Sequence, residues 1–163
     1  MIKIIPFYDK YPCLSFVQMV SLANSLPLLL DMKNEILCTT DFSEASKNAL
    51  RWSIDLAKRL HSHITILYTY RLNKQNEAAI PMKRKIEEEA QANFSKLERD
   101  LLAGKGITYE FKTEVGFVAD RVEEHAKKKD VGFLVMGKSM TIGSKEGFEE
   151  LMEHLQVPLI IVP

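Results

Sequence analysis

Cysteine is scarce in this chain, since Cys13 and Cys38 are the only two among 163 residues. Two cysteines at that spacing resemble neither a disulfide framework nor a zinc-binding set. An excess of charge is lacking too, because Lys plus Arg and Asp plus Glu both number 22. Balanced charge gives no reason to expect nucleic acid or an anionic membrane as a partner. We therefore expect a cytoplasmic domain that folds without a disulfide or a metal.

Charged residues are also absent from Tyr11 to Leu30. The run is long enough to raise the question of a membrane segment. Its two side-chain amides and two prolines make a transmembrane helix unfavourable, because each would leave polar groups without partners in hydrocarbon. Met32 opens a segment that reads as a natural chain start. We interpret residues 1–31 as an N-terminal extension and residues 32–163 as the domain, which should not enter a membrane. A docked accessory segment, or a signal or anchor, remains an alternative for the extension.

From Glu35 onward, short apolar runs alternate with amphipathic stretches, as is typical of strands joined by crossover helices. The alternation predicts an α/β fold with a single five-stranded parallel sheet and helices on both faces. The five predicted strands are "EILCT" (Glu35–Thr39), "HITILYTY" (His63–Tyr70), "ITYEFKTEV" (Ile107–Val115), "VGFLVMG" (Val131–Gly137) and "VPLIIVP" (Val157–Pro163).

Four helices are predicted between these strands. The first follows "TDFSEAS", where Asp41 or Ser43 can act as the N-cap, and it should end near His61. In the third, His125 is expected on the polar side, in solvent. Apolar residues recur every three or four positions in the first two helices: Ala45, Ala49, Trp52, Leu56 and Leu60, then Met82, Ile86, Ala90, Phe94, Leu97 and Leu101.

The segment "GFLVMGKS" matches the P-loop pattern G-x-x-x-x-G-K-[ST] from Gly132 to Ser139. In a P-loop, the four residues between the glycines form a turn whose amide groups surround a phosphate. Here those four residues are Phe133–Met136, the most apolar run of the domain, which predicts a buried strand instead. We therefore interpret the match as accidental and do not expect a P-loop nucleoside triphosphatase.

The turn after this strand still deserves a functional interpretation. Ligands of open parallel sheets bind beyond the carboxyl ends of the strands, where the strand order reverses. Gly137 allows a ligand or a neighbouring loop to approach the backbone closely. Gly143 and Ser144 precede the last predicted helix, whose partly positive end suits phosphate. From these residues alone, phosphate binding and a purely structural role as turn and helix cap are equally open.

Three segments carry a family resemblance: "ILCTTDFSEASKNALRWSIDLAKRLHSHITILYTY", "DVGFLVMG" and "VPLIIVP". In this order and spacing they resemble the universal stress proteins, over Lys33 to Pro163. The resemblance implies a Rossmann-like fold of the adenine nucleotide alpha hydrolase type and commonly a homodimer. Some members of the family bind ATP through a glycine-containing loop after the fourth strand, whereas other branches lack the motif and bind none.

The resemblance also implies a set of adenine-nucleotide contacts. Met140 stands where the family has a second glycine, and the loop is several residues shorter than usual. An adenine nucleotide such as ATP, with Mg, and no cofactor at all are therefore equally plausible. The implied contacts are Thr39 and Thr69 beside the adenine, Asp41 at the family's acidic position, and Gly137, Lys138, Gly143 and Ser144 around the phosphates.

An apolar strand at Leu159 to Val162 should lie at a sheet edge, and such an edge is normally covered or paired. We expect it to pair with a second copy across a twofold axis, giving a homodimer. No set of nucleophile, base and orienting residue is visible, so we do not expect an enzyme. The expected function is a non-catalytic stress-response module that binds an adenine nucleotide. The alternative is a dimeric interaction module that binds none.

Overall fold

The computed structural model describes residues 3–5, 35–72, 79–128, 131–138 and 145–163. These ranges contain six strands and four α-helices. The strands are β1 (Lys3–Ile5), β2 (Glu35–Thr40), β3 (His63–Tyr70), β4 (Tyr109–Val115), β5 (Val131–Gly137) and β6 (Leu159–Val162). The helices are α1 (Glu44–Leu60), α2 (Ala79–Leu97), α3 (Val118–Lys128) and α4 (Lys145–His154), and a π-helical turn spans Glu98–Leu102.

The strands form one sheet in the order β1-β6-β5-β2-β3-β4. The five strands from β2 to β6 are parallel, as predicted. The chain builds the sheet in one direction through β3 and β4 and then in the other through β5 and β6. The order therefore reverses between β2 and β5. In a sheet of this kind a ligand crevice forms beyond the carboxyl ends of those two strands.

The sequence did not indicate the sixth strand. β1 pairs antiparallel with β6, with Lys3 opposite Ile161 and Ile5 opposite Leu159. The outer edge of β6 is thus covered by a strand from the N-terminal part of the same chain. The expectation that β6 forms the sheet edge is wrong, because residues far away in the sequence complete the sheet there.

Apolar side chains fill both faces of the sheet. On the α1–α2 face, Leu50 and Ile54 of α1 and Phe94 of α2 pack against strand residues such as Ile36 and Ile66. On the α3–α4 face, Val122, Leu151 and Leu155 pack against Leu37, Leu67, Leu134 and Leu159. Successive residues of a strand point to opposite faces, which is why Ile36 and Leu37 belong to different clusters.

Helix α1 buries a different stripe from the predicted one. Trp52 is 48% exposed, whereas Ser46 and Ser53 are buried beside Ala49. Both serines can be buried because their hydroxyls donate to backbone carbonyls of the preceding turn, Ser46 to Ser43 at 2.9 Å and Ser53 to Ala49 at 2.9 Å. Serines with such partners can belong to the buried face of a helix. A pattern of apolar residues alone therefore does not identify the buried face of α1.

The π-helical turn shifts the end of the second predicted stripe. Phe94 and Leu97 are buried as expected, but the fully buried residue after them is Leu102 and not Leu101. A π turn holds one more residue than an α turn, so it moves the next core position by one residue. The first turn of α2 also differs, because Met82 is 56% exposed.

His125 is buried, contrary to the prediction that it lies in solvent. Its Nε2 atom lies 2.8 Å from Oε1 of Glu114 on β4. The imidazole is three residues after Val122, so it belongs to the face of α3 that meets the sheet. A carboxylate partner allows this polar ring to be buried there.

Candidate functional site

The carboxyl end of β2 leads into a tight turn that ends at the N-terminus of α1. Ser43 is the N-cap of α1, and its hydroxyl accepts a hydrogen bond from the amide of Ser46 at 3.3 Å. Asp41 uses Oδ1 to accept from the amide of Ser43 at 3.0 Å. Of the two caps that the sequence allowed, Ser43 is therefore the actual one. Asp41 stabilises the turn that precedes the helix.

A chain of hydrogen bonds closes the α1–α2 side of this turn. The amide of Phe42 donates to the Thr40 hydroxyl at 3.1 Å, and that hydroxyl donates to Ser46 at 3.2 Å. The Ser46 hydroxyl in turn donates to the Ser43 carbonyl at 2.9 Å. The Thr40 and Ser46 hydroxyls each accept one hydrogen bond and donate another, so this polar cluster is satisfied within the chain.

Phe42 has a left-handed backbone, with φ of 63°. This conformation is unusual for a bulky residue and is kept only where the surroundings enforce it. The ring of Phe42 lies 5.1 Å from that of Tyr68 and 6.2 Å from that of Phe111. Sequence reasoning missed this aromatic cluster, although "YTY" at the end of β3 places two aromatic residues on one face of the strand.

Asp41 is the exposed residue of the turn. Partial burial raises the pKa of its carboxyl group. The hydrogen bonds that it accepts outweigh this effect and lower the pKa below the ordinary value, the largest being those from the hydroxyl and the amide of Ser43. The carboxylate is therefore ionised at neutral pH and stands at the point where the strand order reverses. It can accept hydrogen bonds from a hydroxyl or an amino group of a ligand.

Thr39 and Thr69 lie on the α3–α4 face, because they continue the alternation of Leu37 and Leu67. Thr39 is fully buried, and its Oγ1 has no hydrogen-bond partner among the described residues. Thr69 is half-buried near the end of β3. Thr39 is opposite Leu67 in the ladder, so Thr69 lies two residues nearer the carboxyl end of the sheet. A buried hydroxyl without a partner is rare and costly.

Gly137 is buried at the end of β5, against the first turn of α1. A Cβ atom at this position would lie 2.7 Å from the carbonyl carbon and oxygen of Ala45 and 2.9 Å from the amide nitrogen of Ser46. Only glycine lets the helix backbone approach the strand so closely. The "neighbouring loop" that the sequence left open as a reason for this glycine is thus the start of α1.

Lys138 follows with an exposed side chain. Its amide donates to the carbonyl of Val162 at 2.7 Å, so the backbone group is used by β6. The predicted phosphate contacts Gly143 and Ser144 lie outside the described residues. Of the predicted contacts, the structure therefore brings Asp41, Gly137 and Lys138 to one end of β2 and β5, with Thr39 and Thr69 on the α3–α4 face.

The P-loop pattern has no structural counterpart. Its first five residues, Gly132 to Met136, all belong to β5, and Leu134 to Met136 are buried. Phe133 to Met136 take part in the parallel ladders with β2 and β6. They cannot surround a phosphate, so the rejection of the motif is confirmed.

Other chemistry is sparse in the described part of the chain. Cys38 is fully buried, and burial raises the pKa of its thiol to about 12, so it is not a nucleophile at neutral pH. Within the described ranges, no group of three or more histidine, cysteine, aspartate or glutamate side chains could hold a metal ion. No helix in the same ranges is long and apolar enough to cross a membrane.

The model of the universal stress protein family matches residues 32–163. The chain belongs to the universal stress protein family. A comparison with curated proteins found no match. The family match confirms the resemblance that was drawn from the strand and turn sequences.

Solved structures show the same fold. A universal stress protein from Burkholderia pseudomallei is 20% identical, with 81% of this chain and 97% of that chain covered and a TM-score of 0.64. A universal stress protein in complex with cAMP is 18% identical, with 80% and 97% covered and a TM-score of 0.61. One from Arabidopsis thaliana with AMP bound is 13% identical, with 79% and 90% covered and a TM-score of 0.52. Identities this low show the fold alone.

Proposed function

We propose that this protein is a cytoplasmic, non-catalytic stress-response module that binds an adenine nucleotide, with Mg where the ligand is ATP, beyond the carboxyl ends of β2 and β5. The observation that carries the proposal is the Asp41 carboxylate, which is exposed, oriented by the amide of Ser43 and located where the strand order reverses. The complexes of two structural neighbours with cAMP and AMP support the ligand class.

The charges indicate how the nucleotide lies. A carboxylate repels phosphate groups but accepts hydrogen bonds from ribose hydroxyls and from the adenine amino group. We therefore assign the base and ribose to the β2 end, at Asp41, with Thr39 and Thr69 alongside. The exposed ammonium of Lys138 at the end of β5 attracts the phosphates. Gly143 and Ser144 remain predicted phosphate contacts.

The test is a calorimetric titration of the protein with MgATP, AMP and cAMP, together with thermal melts in each ligand. Binding should raise the melting temperature, because a ligand at 100 times its Kd stabilises the folded state by about 2.7 kcal/mol. Asp41→Asn should weaken binding about tenfold or more, since it removes a charge-assisted hydrogen bond. Asparagine still accepts from the Ser43 amide, so the turn should persist.

Glu44→Gln is the matched control. Glu44 is also an exposed carboxylate at the start of α1, but it is paired with Lys47 at 2.6 Å. This variant changes the net charge by the same amount as Asp41→Asn and should leave affinity within about twofold. An equal loss of affinity in the two variants would mean that only the overall electrostatic field of the protein affects binding. Asp41 would then not be a contact of the nucleotide. Incubation with MgATP should release no phosphate above background.

A second candidate function is an interaction module that binds no nucleotide. Gly137 and the amide of Lys138 favour it, because contacts with Ala45 and Val162 account for both without any ligand. No heat and no thermal stabilisation at millimolar MgATP, AMP and cAMP would reject nucleotide binding and leave this alternative.

A further inference from the structure

The backbone groups on the outer edge of β6 can form hydrogen bonds with another strand. The amide of Leu134 donates to Pro158 at 2.9 Å, and that of Lys138 donates to Val162 at 2.7 Å. Residues 158, 160 and 162 therefore turn their backbone groups towards β5. Because these groups alternate along a strand, Leu159 and Ile161 turn theirs outward.

β1 occupies this edge. Its register places Lys3 opposite Ile161 and Ile5 opposite Leu159. These are the two antiparallel pairs whose amide and carbonyl groups face each other, whereas Ile4 and Ile160 form the non-hydrogen-bonded pair between them. The amides of Lys3 and Ile5 thus serve β6, and the amide of Ile4 points away from it.

A second copy of the chain would need the same backbone groups. Two β6 strands related by a twofold axis pair antiparallel, which is the direction that β1 already takes. The groups of Leu159 and Ile161 cannot serve both partners at once. A three-residue strand is short, so β1 itself offers little backbone to a further strand.

We propose that β1 blocks the β6 edge and keeps the chain monomeric, because it competes with a second copy of the chain for the same backbone groups. Displacement of β1 opens the edge, and β6 then pairs with its counterpart to form the dimer. The homodimer expected from the sequence is in this view a state that the N-terminal strand controls. The proposal does not depend on nucleotide binding.

The test compares proline variants of the full chain by analytical ultracentrifugation at micromolar concentration. Lys3→Pro combined with Ile5→Pro removes both amide hydrogens that β1 donates and should double the mass. Ile4→Pro is the matched control, because its amide points away from β6 and proline is tolerated at such edge positions. It should remain monomeric, as should the wild type.

A third variant identifies the surface that dimerises. Ile161→Pro, added to the double variant, removes an outward donor of β6 and should return the protein to a monomer. Circular dichroism establishes that each variant is folded. A dimeric wild type, a monomeric double variant, equal dimerisation of the Ile4→Pro control, or a triple variant that stays dimeric would each overturn the proposal. If the double variant forms polydisperse aggregates, the exposed β6 edge does not pair specifically with a second copy, and the proposal is wrong.

Discussion

Two neighbouring threonines at the carboxyl end of β2 lie on opposite faces of the sheet and differ in their hydrogen bonding. Thr40, on the α1–α2 face, is buried and has hydrogen bonds to the amide of Phe42 and the hydroxyl of Ser46. Thr39, on the α3–α4 face, is equally buried, but its hydroxyl has no partner within the described part of the chain. One side of the strand end is thus completed by the chain's own groups, and on the other side those residues leave a buried hydroxyl without a partner.

If the proposed nucleotide site is right, this difference predicts which residues at the strand end stabilise the fold and which contact the ligand. Substitutions on the α1–α2 face, including those at Gly137, should change the stability of the protein. The nucleotide affinity of the molecules that remain folded should stay the same. Residues on the α3–α4 face should affect affinity more than stability. The following substitutions test that division.

The largest effect is expected from Gly137→Ala. The added Cβ would meet the backbone of Ala45 at 2.7 Å, and a helix backbone cannot move aside cheaply. We expect a loss of about 3 kcal/mol in the free energy of unfolding, measured by urea denaturation. Gly104→Ala is the control, since its φ is +70° but nothing lies within 4 Å of the new Cβ. It should cost about 1 kcal/mol, from backbone strain alone. Equal costs would show that the contact with α1 is not the reason for Gly137.

Thr40→Val should destabilise the protein by about 1–3 kcal/mol, because it leaves the partly buried amide of Phe42 without its acceptor. Chemical denaturation measures the loss. Nucleotide affinity of the fraction that remains folded should be close to that of the wild type. A stable Thr40→Val protein with weakened binding would reverse the assignment of the two faces.

Thr39→Val should have the opposite profile. Replacing an unpartnered buried hydroxyl by a methyl group is expected to leave stability unchanged or to raise it by about 1 kcal/mol. Affinity for adenine nucleotides should fall, as measured by the same calorimetric titration. If Thr39→Val instead destabilises the protein as much as Thr40→Val, the hydroxyl has a structural partner and the comparison fails.

The smallest effect concerns Asp41 and pH. Its pKa is lowered from 3.8 in the folded state, so its ionised form contributes stability at pH values above 3.8, and this contribution is lost as the pH falls through the folded pKa. The difference in unfolding free energy between wild type and Asp41→Asn should be constant from pH 7 to about 5. It should then shrink in acid. Urea denaturation of both proteins at several pH values checks this, and a difference that grows as the pH falls would contradict the lowered pKa.

The sequence predicted the parallel core of the fold well, for physical reasons that particular residues make clear. β5 was assigned from Val131 to Gly137, as observed, because a strand buried on both faces is apolar throughout. α1 ends at Leu60, and His61 takes the left-handed conformation that closes the helix. Local composition was sufficient for these elements.

Other features depend on contacts between different elements of the fold, which local composition does not predict. The burial of His125 requires Glu114 on another element, and the covering of β6 requires β1, more than 150 residues away. The left-handed backbone of Phe42 leaves no trace in composition. In the candidate site, Asp41 could be predicted from the resemblance, but the reason for Gly137 could not, because it lies in the approach of α1 to β5.

The π-helical turn from Glu98 to Leu102 has a consequence for the comparison of homologous sequences. Because it contains one residue more than an α turn, deleting one exposed residue such as Arg99 would restore a regular helix and still leave a leucine in the core position of Leu102. Alignments of distant relatives should therefore place a single-residue gap within this turn, and a gap elsewhere in the helix would misalign its buried face.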